Sequence, residues 1–239
     1  MGGNIHIIIG ASGGIGSKFV EMLSSQSGNK IYAFSRTKNN FDLPNVIEQD
    51  IDVSSEISIA ESAKTISEKG NINSIIVATG FLHDELIKPE KSLQEVNLHN
   101  LEKVFAINAF APILIAKYFL PLIHLNERSV FAAISARVSS ISDNKLGGWY
   151  AYRASKAALN MLIKTLSIES KRKYNKLIVA GLHPGTVNTC LSKPFQSNVP
   201  KNKLFTLDYS VKAMLKVLDH LSIEDSGKLF AYDGQEILP

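Results

Sequence analysis

The chain has 239 residues, 45% of them apolar and 20% charged, a balance that suits one soluble globular domain over 1–239 and excludes disordered, collagen-like and disulfide-stapled chains. Lys and Arg outnumber Asp and Glu by 26 to 22, for a formal charge of +4. The one basic cluster, Lys171-Arg172-Lys173, reads as a solvated helix end, so no nucleic-acid partner is expected. Cys190 is the single cysteine, which excludes an internal disulfide and suits a reducing, cytoplasmic setting.

Met1-Gly2-Gly3-Asn4 runs into an apolar segment without a basic region or a small-residue cleavage site. No secretory signal is expected there, and the chain is expected to begin where its fold begins. Ile5–Ile9 reads as a first strand. It is followed by Gly10-Ala11-Ser12-Gly13-Gly14-Ile15-Gly16 and then by a segment of helical character over 17–23. A helix N-terminus can hold a pyrophosphate through its unpaired N–H groups only where no β-carbon blocks the approach. Strand, glycine turn and helix in this order therefore predict a nucleotide site, with a plain strand-to-helix turn as the alternative.

A second strand over 31–34 leads to Ser35-Arg36. An acid at this distance from the glycine loop grips the adenosine ribose hydroxyls, whereas an arginine complements a 2′-phosphate with its planar fork. Arg36 lies 20 residues beyond Gly16, Ser35 beside it is neutral, and no acid comes before Asp42. The segment favours NADP over NAD, unless Arg36 and Lys38 are merely solvated loop charges.

Further short aliphatic runs follow at 45–47, 74–77, 129–134, 177–180 and 228–231, most of them separated by segments of helical period. Strands apolar almost throughout must be covered on both faces, and alternation with helices supplies both covers, so the pattern predicts a parallel, doubly wound α/β sheet. The longest apolar stretch, 105–116, is interrupted by Asn108 and Pro112 and falls short of the roughly 18 residues of a membrane span. No membrane partner is expected. In 206–222, Leu207, Val211, Met214, Leu215, Leu218 and Leu221 recur at spacings of three and four, as in a helix lying on a sheet. The stretch 190–205, with Pro194 and Pro200, favours loop over helix or strand and reads as an active-site lid or an ordinary surface loop.

Tyr152 and Lys156 form the only Tyr-x-x-x-Lys pair in the chain, within a segment rich in helix formers. At i and i+4 they share a helix face, and a nearby ammonium lowers a phenol's pKa toward use as a general acid or base. The histidines His83, His99, His124, His183 and His220 are scattered without metal-ligand spacing, so no metal is expected.

Together these segments resemble the short-chain dehydrogenase/reductase family over essentially the whole chain, and the string 141–153 resembles its C-factor and sniffer-type carbonyl reductase branch. The resemblance implies a Rossmann fold and NADP-dependent hydride transfer between nicotinamide and a small carbonyl or alcohol substrate. Gly10, Ser12, Gly14, Ile15 and Gly16 would form the cofactor loop, with Ser35 and Arg36 at the adenosine ribose and Asp52 and Val53 at the adenine. Ala78, Gly80, Pro184, Gly185 and Thr186 would approach the nicotinamide half. Tyr152 and Lys156 match the acid/base pair, and Asn108 matches the asparagine that organises a proton relay through water.

Two departures stand out. Val77-Ala78-Thr79-Gly80 lacks the asparagine amides usual at that point, so bracing there must come from elsewhere. In Ala133-Ile134-Ser135-Ala136, Ala136 occupies the place of the substrate-polarising serine, and Ser135, ahead of Ser139, is the expected substitute. A non-catalytic NADP sensor on the same fold stays open as the alternative function. Apolar residues around much of the helices of Asn108 and Tyr152 predict a homo-oligomer, a dimer or tetramer; they are Phe105, Ile107, Phe110, Ile113, Leu114, Ile115, Phe119 and Leu120, and Met161, Leu162, Ile163, Leu166 and Ile168.

Overall fold

The structure, a computed structural model, describes residues 4–67 and 72–239. The N-terminal Met1-Gly2-Gly3, on which the expectation of no secretory signal falls, lies outside the described residues. Strand β1 (Ile5–Ile9) is followed by α1 (Gly14–Ser24), β2 (Lys30–Ser35), β3 (Val46–Asp50), α2 (Glu56–Lys64) and β4 (Ile72–Val77). Then come α3 (Leu98–Phe105), a π-turn (Ala106–Phe110), α4 (Ala111–Phe119), β5 (Ser129–Ile134), α5 (Tyr150–Ser170) and β6 (Leu177–His183). A two-residue pair, β7 (Thr186–Val187) with β8 (Leu204–Phe205), precedes α6 (Leu207–His220) and β9 (Lys228–Ala231).

Seven strands form one parallel sheet in the order β3-β2-β1-β4-β5-β6-β9. The inner strands are buried along almost their whole length, as their apolar runs require. One face is covered by α2, α4 and α5 through Ile59, Ile115, Phe119, Leu159 and Ile163, and the other by α1 and α6 through Phe19, Val20, Val211 and Met214. This is the doubly wound Rossmann architecture. Strand order reverses between β1 and β4, which opens a crevice at their carboxyl ends, the usual ligand site of such sheets.

Three expectations are corrected. The strand expected at 45–47 runs instead over Val46–Asp50, because Glu48, Gln49 and Asp50 sit on the sheet edge, where an apolar run is not needed. The stretch 190–205 is not plain loop: it holds 3-10 turns at Lys193–Asn198 and Lys201–Lys203 and ends in β8. The helical run around Asn108 extends over Leu98–Leu122, 25 residues, which by length and composition is enough to cross a membrane. Its inward side chains Ala109, Ile115 and Phe119 are fully buried, however, which is the packing of a helix that covers a sheet.

Candidate active site

The first component of the crevice is the turn after β1. Gly10 has φ +89°, and a β-carbon on Gly16 would lie 2.1 Å from the Gly10 carbonyl oxygen, so turn and helix can close this tightly only with glycine. The first backbone bond into α1 runs from Ser17 N–H to Gly13 O at 2.8 Å, and no side chain caps the helix. The amides of Gly14, Ile15 and Gly16 thus precede the helical ladder, beside exposed Ser12, Gly13 and Gly14. Across the crevice Thr79 Oγ1 is buried and has no hydrogen-bond partner among the described residues. Open amides at a helix N-terminus, glycines that clear the approach and an orphaned hydroxyl opposite fit a pyrophosphate-bearing cofactor.

At the end of β2, Ser35 is buried and donates to Thr37 O, while Arg36 is exposed. Asp52 lies near enough for the Arg36 charge to act on it. Its carboxyl is held below the usual range first by the Ser54 hydroxyl and amide, with a smaller contribution from Arg36. Asn39 Nδ2 donates to Ala11 O at 3.0 Å and ties this segment to the glycine loop.

Asn108 is fully buried in the π-turn. Pro112 has no N–H to offer the Asn108 carbonyl four residues earlier, and Ala111 N–H instead bonds Ala106 O, so the helix widens here. The Asn108 amide pairs with Phe81 in both directions, Nδ2 donating to Phe81 O and Phe81 N–H donating to Oδ1, each at 2.8 Å; Nδ2 also donates to Ser155 Oγ at 3.1 Å. The bracing absent from Ala78-Thr79-Gly80 comes from this asparagine.

Helix α5 brings Tyr152 and Lys156 to the same crevice. Lys156 is 2% exposed, its Nζ donates to Ile134 O at 2.7 Å, and it lies 5.9 Å from the Tyr152 ring centroid. Between β4 and α5, a β-carbon on Gly80 would stand 3.8 Å from Lys156 Nζ and 3.9 Å from Asn108 Oδ1, so the glycine leaves a space walled by both groups. The expected lowering of the phenol pKa by the ammonium is not what dominates. Burial pushes Tyr152 up to about 12 and Lys156 down to about 7, which keeps the phenol proton in place as a donor.

The expected substrate serine, Ser135, and its neighbour Ser139 both bond Asn160. Ser135 is 2% exposed and donates its one hydroxyl proton to Asn160 Oδ1 at 2.8 Å. Ser139 accepts from Asn160 Nδ2 at 2.7 Å and donates to Ala136 O at 2.6 Å. Through these bonds both serines fasten the β5 end to α5 at Asn160.

Above Tyr152 the rings converge. Trp149 meets Tyr152 edge-to-face with centroids 6.1 Å apart and Phe195 at 4.9 Å, and Phe195 meets His83 at 5.4 Å. His83 Nε2 lies 3.0 Å from Leu191 O, so the stretch 190–205 is fastened over the site at two points. Pro184 O accepts from Ser210, and Gly185 at φ +76° lies where a β-carbon would strike the Phe205 ring at 2.5 Å. These bonds and β7, which contains Thr186, form the far wall.

The sequence profile of the short chain dehydrogenases matches residues 4–200. The chain belongs to the short-chain dehydrogenase family. An uncharacterized oxidoreductase of Schizosaccharomyces pombe is 28% identical over 96% of each chain. The C-signal protein of Myxococcus xanthus is 34% identical over 61% of this chain and 82% of its own. The NADPH-bound carbonyl reductase from chicken fatty liver superposes with a TM-score of 0.86 at 26% identity, covering 100% of both chains. The protein is thus an oxidoreductase of the dehydrogenase/reductase type, in a family that binds nicotinamide cofactors.

In this dehydrogenase two residues that shape the site escaped the sequence reading. Asn160 stands one turn beyond Lys156 on α5, a spacing that could have drawn notice. Glu90 contacts Ala151, 61 residues away, and no local pattern marks it. Of the expected oligomer surface, Ile115, Phe119, Leu120 and Ile163 are instead consumed by the chain's own core, while Phe110, Met161 and Ile168 remain more than half exposed.

Proposed function

We propose that the protein is an NADP-dependent carbonyl reductase, interconverting a small carbonyl compound and its alcohol. The observation that carries this reading is the Tyr152 phenol, held protonated by burial, beside the Gly80 space bounded by Lys156 and Asn108. When bound, the nicotinamide supplies the hydride that reaches the carbonyl carbon. Tyr152 donates its hydroxyl proton to the carbonyl oxygen as negative charge grows there. Lys156 bonds the nicotinamide ribose hydroxyls and stabilises the phenolate left behind by Coulomb attraction, while Asn108 holds the Phe81 backbone and supports proton resupply through water.

The adenosine half is read by Gly10, Ser12, Gly14, Ile15 and Gly16, with Ser35, Asp52 and Val53 around the adenosine and Arg36 on the 2′-phosphate. The NADPH bound by the chicken carbonyl reductase supports this preference, as does the neutral and basic end of β2. Ala78, Gly80, Pro184, Gly185 and Thr186 border the nicotinamide. The apolar rings of Trp149 and Phe195 suit an uncharged substrate. We further propose a homo-oligomer formed across the exposed sides of α4 and α5.

The test is NADPH oxidation over a panel of aldehydes, ketones, quinones and ketoesters, with NADH run beside it. Turnover with NADPH is expected. Tight NADPH binding without turnover on any of these substrates would favour the sensor reading instead.

A further inference from the structure

Three consecutive residues lead into α5 with left-handed backbone: Gly147 at φ +65°, Gly148 at φ +64° and Trp149 at φ +52°. The two glycines adopt this freely, whereas Trp149, a bulky L-residue at the N-cap, does so against its own preference and caps the helix with no side-chain bond. Helix α5 also has no acidic residue in its first turn. Asn144 Oδ1 accepts from Gly147 N–H at 3.0 Å and Arg153 Nε donates to Gly148 O at 3.1 Å, and two further contacts that reach Trp149 and the first turn come from Glu90, in the segment between β4 and α3. Its backbone carbonyl accepts from Trp149 N–H, and its carboxylate Oε2 accepts from Ala151 N–H at 3.2 Å. Glu90 is 2% exposed, so its side chain is built into the junction and is not a surface charge that happens to lie near it.

We propose that Glu90 is the positioning residue of the active site, supplying from a distant segment the cap that α5 lacks and thereby fixing Trp149 and Tyr152. The two bonds bracket Tyr150. They pin the left-handed residue on one side and, on the other, the amide immediately before Tyr152. Withdrawal of the carboxylate frees the Ala151 amide and leaves Glu90 holding Trp149 through its backbone carbonyl alone, which loosens the first turn of α5. The Trp149 ring then leaves its seat against Phe195 and Tyr152, and the phenol loses its aim. A β-carbon on Gly148 would lie 3.3 Å from Glu90 O, so the glycine permits the close approach that the first bond requires. This inference rests on the reading of Tyr152 as proton donor only for its catalytic consequence. Its geometric part stands apart from activity.

Trp149 is the only tryptophan, so its fluorescence in the cofactor-free protein reports the junction directly. Glu90→Asp keeps the charge but draws the carboxylate back by one methylene, Glu90→Ala removes it, and Glu90→Gln keeps an acceptor of the same reach. Acrylamide quenching of Trp149 is expected to rise about twofold or more in the Asp and Ala variants and to stay near wild type in the Gln variant, as conformational release of a packed ring requires. Turnover should follow the same order. A kcat loss of roughly 10–100-fold in the Asp variant, with its KM for NADPH within about threefold and rescue by Gln, is the mark of a misaimed donor on a folded protein. Unchanged quenching in Glu90→Asp would overturn the proposal, as would a Gln variant as impaired as Ala, since the acceptor would then not be what matters. Wild-type protein that turns over no carbonyl would count against the reductase reading alone, because the quenching comparison needs no turnover.

Discussion

Lys156 Nζ donates to the Ile134 carbonyl across 2.7 Å and ties the second turn of α5 to the last residue of β5. The bond lets a cation sit inside the protein, but burial holds its pKa down to about 7 against an ordinary 10.5. The unfolded chain keeps this proton more tightly than the folded one. Below about pH 7 the fold therefore carries the whole cost of the buried charge, and the cost vanishes as pH rises toward the unfolded value. Lys156→Met removes the charge. Its thermal stability relative to wild type is expected to be most favourable near about pH 6 and to lose that advantage toward about pH 10. Parallel stability curves for the two proteins would reject this.

Tyr152→Phe removes the donated proton and keeps the ring against Trp149. Turnover should fall by about 10²–10⁴ while NADPH affinity holds. Because burial pushes the phenol up to about 12, the ultraviolet titrations of wild type and variant should coincide below about pH 10. A variant with wild-type turnover on a genuine substrate would remove Tyr152 from the reaction.

Arg36→Leu should weaken NADPH by about 1.5–3 kcal/mol, the worth of a charged hydrogen bond, and leave NADH nearly unchanged. Fluorescence titration with both cofactors decides it. Equal losses would mean that Arg36 does not read the 2′-phosphate.

Ser135→Ala strands Asn160 Oδ1, and Ser139→Ala strands Asn160 Nδ2. Each should cost about 1–2 kcal/mol of stability in denaturant titration and leave turnover close to wild type. A loss of about 10²-fold or more in kcat from either one, the size of a missing oxyanion donor, would return that serine to the substrate.

Light scattering at micromolar concentration is expected to give a mass above the 26.2 kDa of one chain. Met161→Glu should bring it down to that value, since Met161 is 67% exposed on α5 and a carboxylate there would be buried unpaired in the interface. A wild-type mass of one chain throughout a dilution series would refute the oligomer.

The fold was legible because its signals are local. Ile5–Ile9 and Ser129–Ile134 read as buried strands from their uninterrupted apolar character, and both are buried along almost their whole length. The strand at Val46–Asp50 was read short because an edge position tolerates Glu48 and Asp50. Tyr152 and Lys156 were legible as a pair because helical spacing alone puts them on one face.

By itself, then, the sequence determined what depends on neighbours along the chain: the strand and helix order, the glycine turn that must admit close backbone approach, and the four-residue step from phenol to ammonium. Only the tertiary structure decided what depends on segments that meet from far apart. Burial pushes the Tyr152 phenol up to about 12, against the lowering that its helical spacing from the Lys156 ammonium suggests. Ser135 is claimed by Asn160, 25 residues away, and the first turn of α5 is capped by Glu90, 61 residues away. A hydrogen-bond partner at such separation leaves no period or spacing in the chain, since its position is fixed by how the sheet and its helices pack.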